Sequence, residues 1–172
     1  MRALSIKNPY AFEILEGTKK IEYRTWLPGD VTSFLLVSSS RPSGVDFGLG
    51  MPNGYALAII SIDGTTTTKD RDGYYHWQVV PKMPIEPFKV KGKLHFYDVD
   101  DKLIKPQPQL VQSMAAFLKD DKSAAGKKYF DQFLIPLELI GIEQMPKKYL
   151  KILDDTNGDW NTVAKEWVRA GK

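Results

Sequence analysis

Apolar and polar side chains alternate at the start of the chain in a pattern that predicts a strand followed by a helix. Residues 3–7 place Leu and Ile on one face and Ser and Lys on the other, as in a half-buried strand. Asn8 is a favourable N-cap, Pro9 suits the first helical position, and Gly17 suits a helix end. The pattern therefore predicts a short helix over residues 9–16.

Four later segments also have strand character, and they are residues 20–26, 32–39, 55–62 and 88–98. The last is the most regular, because it alternates apolar residues with a basic face formed by Lys89, Lys91, Lys93, His95 and Tyr97. A doubly wound parallel sheet is excluded, since it needs a helix at every crossover and only one helix lies among these five strands. A small mixed or barrel-like sheet is predicted instead.

The chain after Pro106 has mainly helical periodicity, over residues 110–118, 124–133, 147–153 and 160–170, and residues 135–142 favour one more strand. An amphipathic face at i, i+3, i+4 and i+7 is formed by Trp160, Val163, Ala164 and Trp167. We expect this face to dock on the barrel, with a partner or dimer contact as the alternative. The prediction is an α+β fold, with a mixed β-barrel over residues 1–105 and a helical extension over residues 106–172 packed on the same domain.

Composition removes several classes of function. The chain has 172 residues and no cysteine, which excludes a disulfide scaffold, a thiol nucleophile and an iron–sulfur site. Only two histidines occur and no HxxxH spacing exists, so we expect neither a metal site nor a cofactor. A net charge of +3 permits nucleic acid as a partner without requiring it. No apolar run of about 18 residues and no signal-peptide pattern is present, so we expect a cytoplasmic protein without a membrane partner.

The densest group of charged residues lies at the junction of the predicted helix and second strand. Glu22 and Arg24 are two positions apart on one strand, so their side chains leave the same face about 6–7 Å apart. Lys19 lies in the turn before them. Such a group can bind an anion, position an amide or supply a base. On spacing alone, a solvent-exposed ladder of charges is the favoured interpretation.

Two neighbouring motifs strengthen the functional interpretation. Residues 4–11 read LSIKNPYA and residues 17–24 read G-x-K-x-x-E-x-R, and together they resemble the ASCH (activating signal cointegrator homology) domain of the PUA-like superfamily. Trp77 and residues 87–94, reading PFKVKGKL, are similar to later segments of that family. Residues 35–39 depart from it, because the family strand often ends in His-Ala-Ser. The resemblance covers residues 2–98.

The resemblance implies a PUA-like β-barrel whose cleft lies between the early helix and the barrel mouth and is lined by the G-x-K-x-x-E-x-R residues. It also implies an RNA-related function, and we expect the cleft to bind single-stranded RNA or a modified nucleoside. Some small members resemble amidohydrolases acting on acylated cytidine, and they carry a threonine nucleophile where this chain has Glu22. The alternatives are therefore a nucleoside amidohydrolase or ribonuclease that uses Lys19 and Glu22 with Arg24, and a protein-interaction scaffold.

The residues expected to contact the ligand come from four places in the sequence. Aromatic residues beside the motif can stack on a base, and serines at a strand end can donate hydrogen bonds. Lysines on the predicted strand 88–98 can follow a phosphate backbone, although they also suit a solvated edge. The full expected set is Lys7, Tyr10, Lys19, Glu22, Arg24, Trp26, Ser38, Ser39, Lys91 and Lys93. The sequence leaves the oligomeric state open.

Overall fold

The computed structural model describes residues 1–41 and 49–170. Within them, six strands form one mixed sheet in the order β2-β5-β4-β3-β1-β6. Strands β1 and β3 are parallel and all other neighbours are antiparallel. The strands are β1 (Arg2–Ile6), β2 (Ile21–Arg24), β3 (Ser33–Ser38), β4 (Tyr55–Thr65), β5 (Tyr75–Lys89) and β6 (Phe96–Asp98). This confirms the predicted α+β class and excludes a sheet sandwiched between helices at each crossover.

The sheet curls into a half-barrel. Its two longest strands, β4 and β5, shift register at three places, and each such irregularity bends and twists the ladder. The curl brings the two edge strands towards each other. Trp26, just after β2, lies with its ring centroid 5.1 Å from that of Phe96 in β6. Trp77 of β5 is fully buried beside both rings, so an aromatic cluster fills the gap between the edges.

The predicted capping helix is present as α1 (Tyr10–Glu16). The Asn8 side-chain oxygen accepts a hydrogen bond from the Phe12 backbone N–H at 3.2 Å, and Gly17 ends the helix with φ at 81°. Its buried side chains join the core on one face of the sheet, and they are Ala11, Phe12, Ile14 and Leu15. Strand β1 therefore passes directly into a helix that covers the half-barrel core.

Helices make up the C-terminal part of the fold. They are α2 (Val111–Lys119), α3 (Lys127–Tyr129), a π-helical segment (Phe130–Leu134), α4 (Ile135–Glu143), α5 (Lys147–Asp155) and α6 (Trp160–Ala170). Buried residues of α2 to α4 share one hydrophobic cluster with α1 and the sheet. The Tyr129 hydroxyl donates a hydrogen bond to the Leu15 carbonyl at 2.7 Å, and burial raises the Tyr129 pKa. Val163 of α6 belongs to a separate small cluster with Tyr149 of α5.

The strand predicted over residues 88–98 is wrong in its extent. The observed strand β5 begins at Tyr75 and ends at Lys89, and residues 90–95 form a loop before the three-residue β6. The sequence pattern did not predict β5, because it contains three prolines, at positions 81, 84 and 87, and proline cannot donate a hydrogen bond to a strand ladder. The register shifts between β4 and β5 accommodate them. The basic strip therefore lies mainly on a loop.

The strand predicted over residues 135–142 is also wrong, because this segment is helix α4. It is apolar on nearly every side, and a short run of that kind does not distinguish a buried strand from a buried helix. Pro136 lies in the first helical turn, where a missing N–H costs little. The helix packs closely at Gly141, where an added Cβ would overlap backbone atoms of Gly50 and Met51.

We expect Gly141→Ala to lower the free energy of unfolding by about 1–3 kcal/mol, because backbone atoms cannot rotate away from the new methyl group. Helix propensity alone predicts the opposite sign, since alanine is the better helix former. Equilibrium urea denaturation measures the difference. Gly64→Ala is the control, because its Cβ would meet only the flexible Gln78 side chain at 3.3 Å. Equal stability of the Gly141 variant and the wild type would contradict this packing.

Candidate functional site

The G-x-K-x-x-E-x-R motif lines a cleft of about 880 Å³. The cleft lies between the end of β1, the start of α1, strand β2 and the loop of residues 90–95. A buried Asn8 side chain fixes the β1–α1 turn, because it donates to the Pro52 carbonyl at 2.7 Å and accepts from Phe12. Lys7 and Tyr10, on either side of this turn, both line the cleft, as predicted.

A buried carboxylate forms the floor of the cleft. Glu22 is only 6% exposed, and Arg24 Nε donates to its Oε1 at 2.9 Å. Lys19 Nζ lies 3.5 Å from the other oxygen, Oε2. Glu22 is therefore paired with both cations of the motif. A carboxylate at this depth requires such partners, because burial of an unpaired charge is costly.

Arg24 also ties together two strands that are not neighbours in the sheet. Its Nη2 donates to the Ser5 carbonyl of β1 at 3.2 Å, while its Nε holds Glu22 of β2. One planar guanidinium therefore sets the separation of β1 and β2 at the cleft floor. A lysine at this position could not maintain both bonds with the same geometry.

Tyrosines form the walls above this floor. Tyr10, Tyr23 and Tyr74 line the cleft and are each 40–48% exposed. Lys19 Nζ lies 5.7 Å from the ring centroid of Tyr10 and 5.1 Å from that of Tyr23, within cation–π range. The Tyr23 ring also meets His76 edge-on at 4.8 Å, and His76 Nε2 lies 2.7 Å from Asp70 Oδ2. The walls thus expose aromatic faces beside a cation.

The loop of residues 90–95 forms one lip of the cleft. Gly92 packs so closely on β1 that a Cβ there would collide with Ser5 Oγ, which itself hydrogen-bonds to the Tyr97 hydroxyl at 2.7 Å. Lys93 and His95 line the cleft from this lip. Ser39, at the end of β3, lines it too, as predicted for the barrel mouth.

Three residues of the expected set lie outside the cleft. Trp26 packs in the aromatic cluster, 4.9 Å from Trp77 between ring centroids. Ser38 is fully buried, and its hydroxyl bonds to the backbone N–H and carbonyl of Tyr55 between β3 and β4. Lys91 is exposed on the loop but does not line the cavity. Trp26 and Ser38 therefore have structural roles, in the aromatic cluster and in the sheet, and Lys91 is a solvent-exposed loop residue.

Several cleft residues were not among those expected from the sequence, and they are Ser5, Ile6, Tyr23, Ser40, Tyr74, Gly92, Leu94 and His95. Strand alternation placed Tyr23 on the face opposite Glu22, yet its long side chain reaches the cleft from the edge strand. Tyr74 lies at the end of the β4–β5 connection, about fifty residues from the motif, and no local signal marks it. Ser5 and Ile6 belong to the motif strand itself and were identifiable from it.

No threonine stands at the motif position where the acylcytidine amidohydrolases considered above carry their nucleophile. Glu22 occupies that position, and among the described residues no threonine lines the cleft. The Thr18 hydroxyl donates to the Glu13 carbonyl at 3.2 Å.

A second cavity, of about 340 Å³, lies between α1, residues 49–51 and α4. Glu16 and Glu138 both line it. Burial raises the pKa of both carboxyl groups, and the nearby Glu138 and Glu13 charges raise that of Glu16 further. Glu16 therefore binds its proton more tightly in the folded chain than in the unfolded one.

We expect Glu16→Gln to stabilise the protein at pH 7 by less than about 1 kcal/mol, because half-exposed carboxylates are screened by solvent. The pKa of Glu16 is higher in the folded chain than in the unfolded chain. The contribution of Glu16 to the free energy of unfolding is therefore complete below the unfolded-state pKa, and it is lost as the pH rises through the folded-state pKa. The gain of the variant should therefore disappear near pH 4. Urea denaturation at both pH values measures it, and a gain of equal size at pH 4 would contradict this explanation.

In the part of the chain that the structure describes, no helix is long and apolar enough to cross a bilayer. The same residues contain no group of three or more His, Asp or Glu side chains arranged to hold a metal ion. Neither a scan against protein-family models nor a search of curated proteins found a match to this chain. The likeness to the ASCH domain therefore rests on the motif residues, and the function is argued from the cleft itself.

Proposed function

We propose that the cleft binds single-stranded RNA, with one base held over the Lys19–Glu22–Arg24 floor, in the manner expected of an ASCH-type module. One observation supports this most strongly. The Glu22 carboxylate is buried between two cations at the bottom of a cleft whose walls are tyrosine rings. Polar groups below and aromatic faces beside them suit a nucleobase, which has a flat ring and a polar edge.

The charge of the lining favours a ligand that carries phosphate. Among the described lining residues, Lys7, Lys19, Arg24 and Lys93 are cationic and Glu22 alone is anionic. Glu22 is already paired within the floor, so Lys7 and Lys93 remain at the rim as cations facing the opening. Lysines in such positions displace counterions from phosphates, and the resulting affinity decreases as salt rises.

The floor also offers a donor beside an acceptor. Lys19 Nζ donates to the Ile21 carbonyl and faces Glu22 Oε2, and its third N–H can donate to a ligand, while Glu22 Oε2, which Arg24 does not bond, can accept. Every nucleobase has an acceptor next to an N–H donor on its Watson–Crick edge, and this edge is accessible in single strands. The Tyr10 and Tyr23 ring centroids lie 5.7 and 5.1 Å from Lys19 Nζ, so aromatic surface on which a base can stack is close to this donor.

Anisotropy titration of a labelled single-stranded RNA hexamer tests this proposal. Loss of one charged hydrogen bond costs about 1.5–3 kcal/mol, so Lys19→Ala should weaken binding roughly 10- to 100-fold. Lys122→Ala, which removes an exposed lysine between α2 and α3, is the matched control and should bind as the wild type does. Raising the salt concentration should weaken the wild type.

Equal binding by wild type, Lys19→Ala and Lys122→Ala would place the RNA elsewhere on the surface. Absence of binding to the hexamer and to modified nucleosides would remove the nucleic-acid function and favour the protein-interaction scaffold. Product analysis of the same mixtures for cleaved RNA or deacylated cytidine tests the enzymatic alternatives, which require Lys19 and Glu22 to act as acid and base.

A further inference from the structure

The most exposed large apolar side chain among the described residues lies on the lip of the cleft. Leu94 is 88% exposed, and it lines the opening between Lys93 and His95. The other exposed large apolar residues reach 53% at most. A leucine held almost wholly in water at the edge of a binding cleft forgoes the stabilisation that burial would give it.

The lip holds this leucine in a fixed position. On one side Gly92 packs against Ser5 Oγ of β1 with no space for a Cβ. On the other side His95 has φ at 56°, a left-handed conformation that non-glycine residues rarely adopt, and its ring lies 5.1 Å from the Trp26 ring. Both anchors direct the chain so that Leu94 extends from the lip instead of folding onto the protein.

Lysines lie on the same loop as the leucine and at the same opening. Lys93 lies directly beside it on the cleft side, and Lys91 is exposed on the same loop outside the cavity. Lys7 lines the same opening from the end of β1. A strand with one base in the cleft would therefore find phosphate-binding groups both at the opening and on the lip that carries the leucine.

We propose that Leu94 is a wedge that packs against the base next to the one in the cleft, so that the site binds an internal nucleotide of an RNA strand more tightly than the free nucleotide. This inference rests on the proposed function and specifies its ligand. Removal of a base from its stack exposes the face of its neighbour, and apolar side chains that insert at such steps cover that face. Leu94 is placed to do so while the tyrosines hold the extracted base.

Comparing two ligands of different length shows whether Leu94 contacts the neighbouring base or contacts the base inside the cleft. The affinities of A6, U6, C6 and G6 hexamers are measured first, and the tightest is compared with the 5′-monophosphate of the same base. Leu94→Ser should weaken hexamer binding about 5- to 50-fold, in the range of one lost base contact. It should leave monophosphate binding within about twofold, since no neighbouring base is present.

Leu139→Ser is the matched control, because Leu139 is 53% exposed on α4. It should alter neither affinity. Thermal unfolding of both variants should match the wild type, because both side chains are exposed. Unchanged hexamer affinity in Leu94→Ser overturns the wedge and leaves the proposed function standing. Equal weakening for hexamer and monophosphate also overturns it, since Leu94 would then act as cleft wall. Failure of the wild type to bind any hexamer or monophosphate refutes the proposed function and the wedge together.

Discussion

Replacement of Trp77 by alanine is expected to lower the free energy of unfolding by about 3–5 kcal/mol, the cost of removing a large aromatic side chain from a packed core. Trp77 is fully buried. Its ring meets Trp26 edge-on at 4.9 Å and stacks on Phe96 at 5.8 Å. Its indole N–H donates to the Trp26 carbonyl at 3.2 Å. The side chain therefore joins β5 to both edges of the curled sheet.

Equilibrium urea denaturation measures this cost. Trp160→Ala removes the same side chain from a position that is 37% exposed, so it is the matched control and should cost much less. If Trp77→Ala does not fold, Trp77→Phe retains a ring and should still cost more than Trp160→Ala. A Trp77 variant no less stable than the Trp160 variant would contradict an aromatic closure of the half-barrel.

Arg24→Ala should have the largest combined effect on stability and binding. It removes the 2.9 Å bond to Glu22 and the 3.2 Å bond to the Ser5 carbonyl, and leaves Lys19 as the remaining cation at the carboxylate. A charged hydrogen bond contributes about 1.5–3 kcal/mol, and we expect a loss of stability of that size. RNA affinity should decrease at least 10-fold, because β1 and β2 are no longer held at the floor.

The double variant Arg24→Ala with Glu22→Gln separates the two effects. Neutralising Glu22 removes the poorly compensated buried charge, so part of the stability should return. RNA affinity should stay low, since the guanidinium that holds β1 and β2 at the floor is still absent and the Gln amide restores no charge there. Urea denaturation and anisotropy titration of the single and double variants give both quantities. Full stability of Arg24→Ala, or recovery of RNA binding in the double variant, would contradict this account of the floor.

Local signals in the sequence predicted the first third of the fold well. Gly17 ends the first helix as predicted, whereas the helix begins one residue later than expected, with Pro9 at the N-cap position and the Asn8 side chain accepting from the Phe12 N–H. The i, i+2 spacing of Glu22 and Arg24 places both side chains on one face of β2, and they form an ion pair there. These features depend on contacts within a few positions, which a sequence pattern contains directly.

Features that depend on distant pairing were not predictable in the same way. Residues 90–95 alternate like a strand, yet the strand ladder of β5 ends at Lys89 and this segment forms a loop instead. Strand β5 carries three prolines and still pairs along its length, because the bulged ladder with β4 tolerates them. Tertiary pairing overrides local pattern at both places.

The same distinction applies to the cleft. The motif identified Lys19, Glu22 and Arg24, which one short segment supplies. Tyr74 and His95 reach the cleft only through the curl of the sheet and the path of the lip. The sequence could not show which serine at the end of β3 lines the cleft. The Ser38 hydroxyl hydrogen-bonds to the Tyr55 backbone of β4, whereas Ser39, the next residue, lines the cleft.

Photo-cross-linking most directly tests the central claim that an RNA base enters this cleft. A 4-thiouridine hexamer bound to the full chain is irradiated, and the cross-linked residues are identified by mass spectrometry. The account predicts cross-links at Tyr10, Tyr23 or Tyr74, which line the opening, and their loss in Lys19→Ala. Cross-links confined to the helices of residues 111–170, with none at these tyrosines, would contradict it.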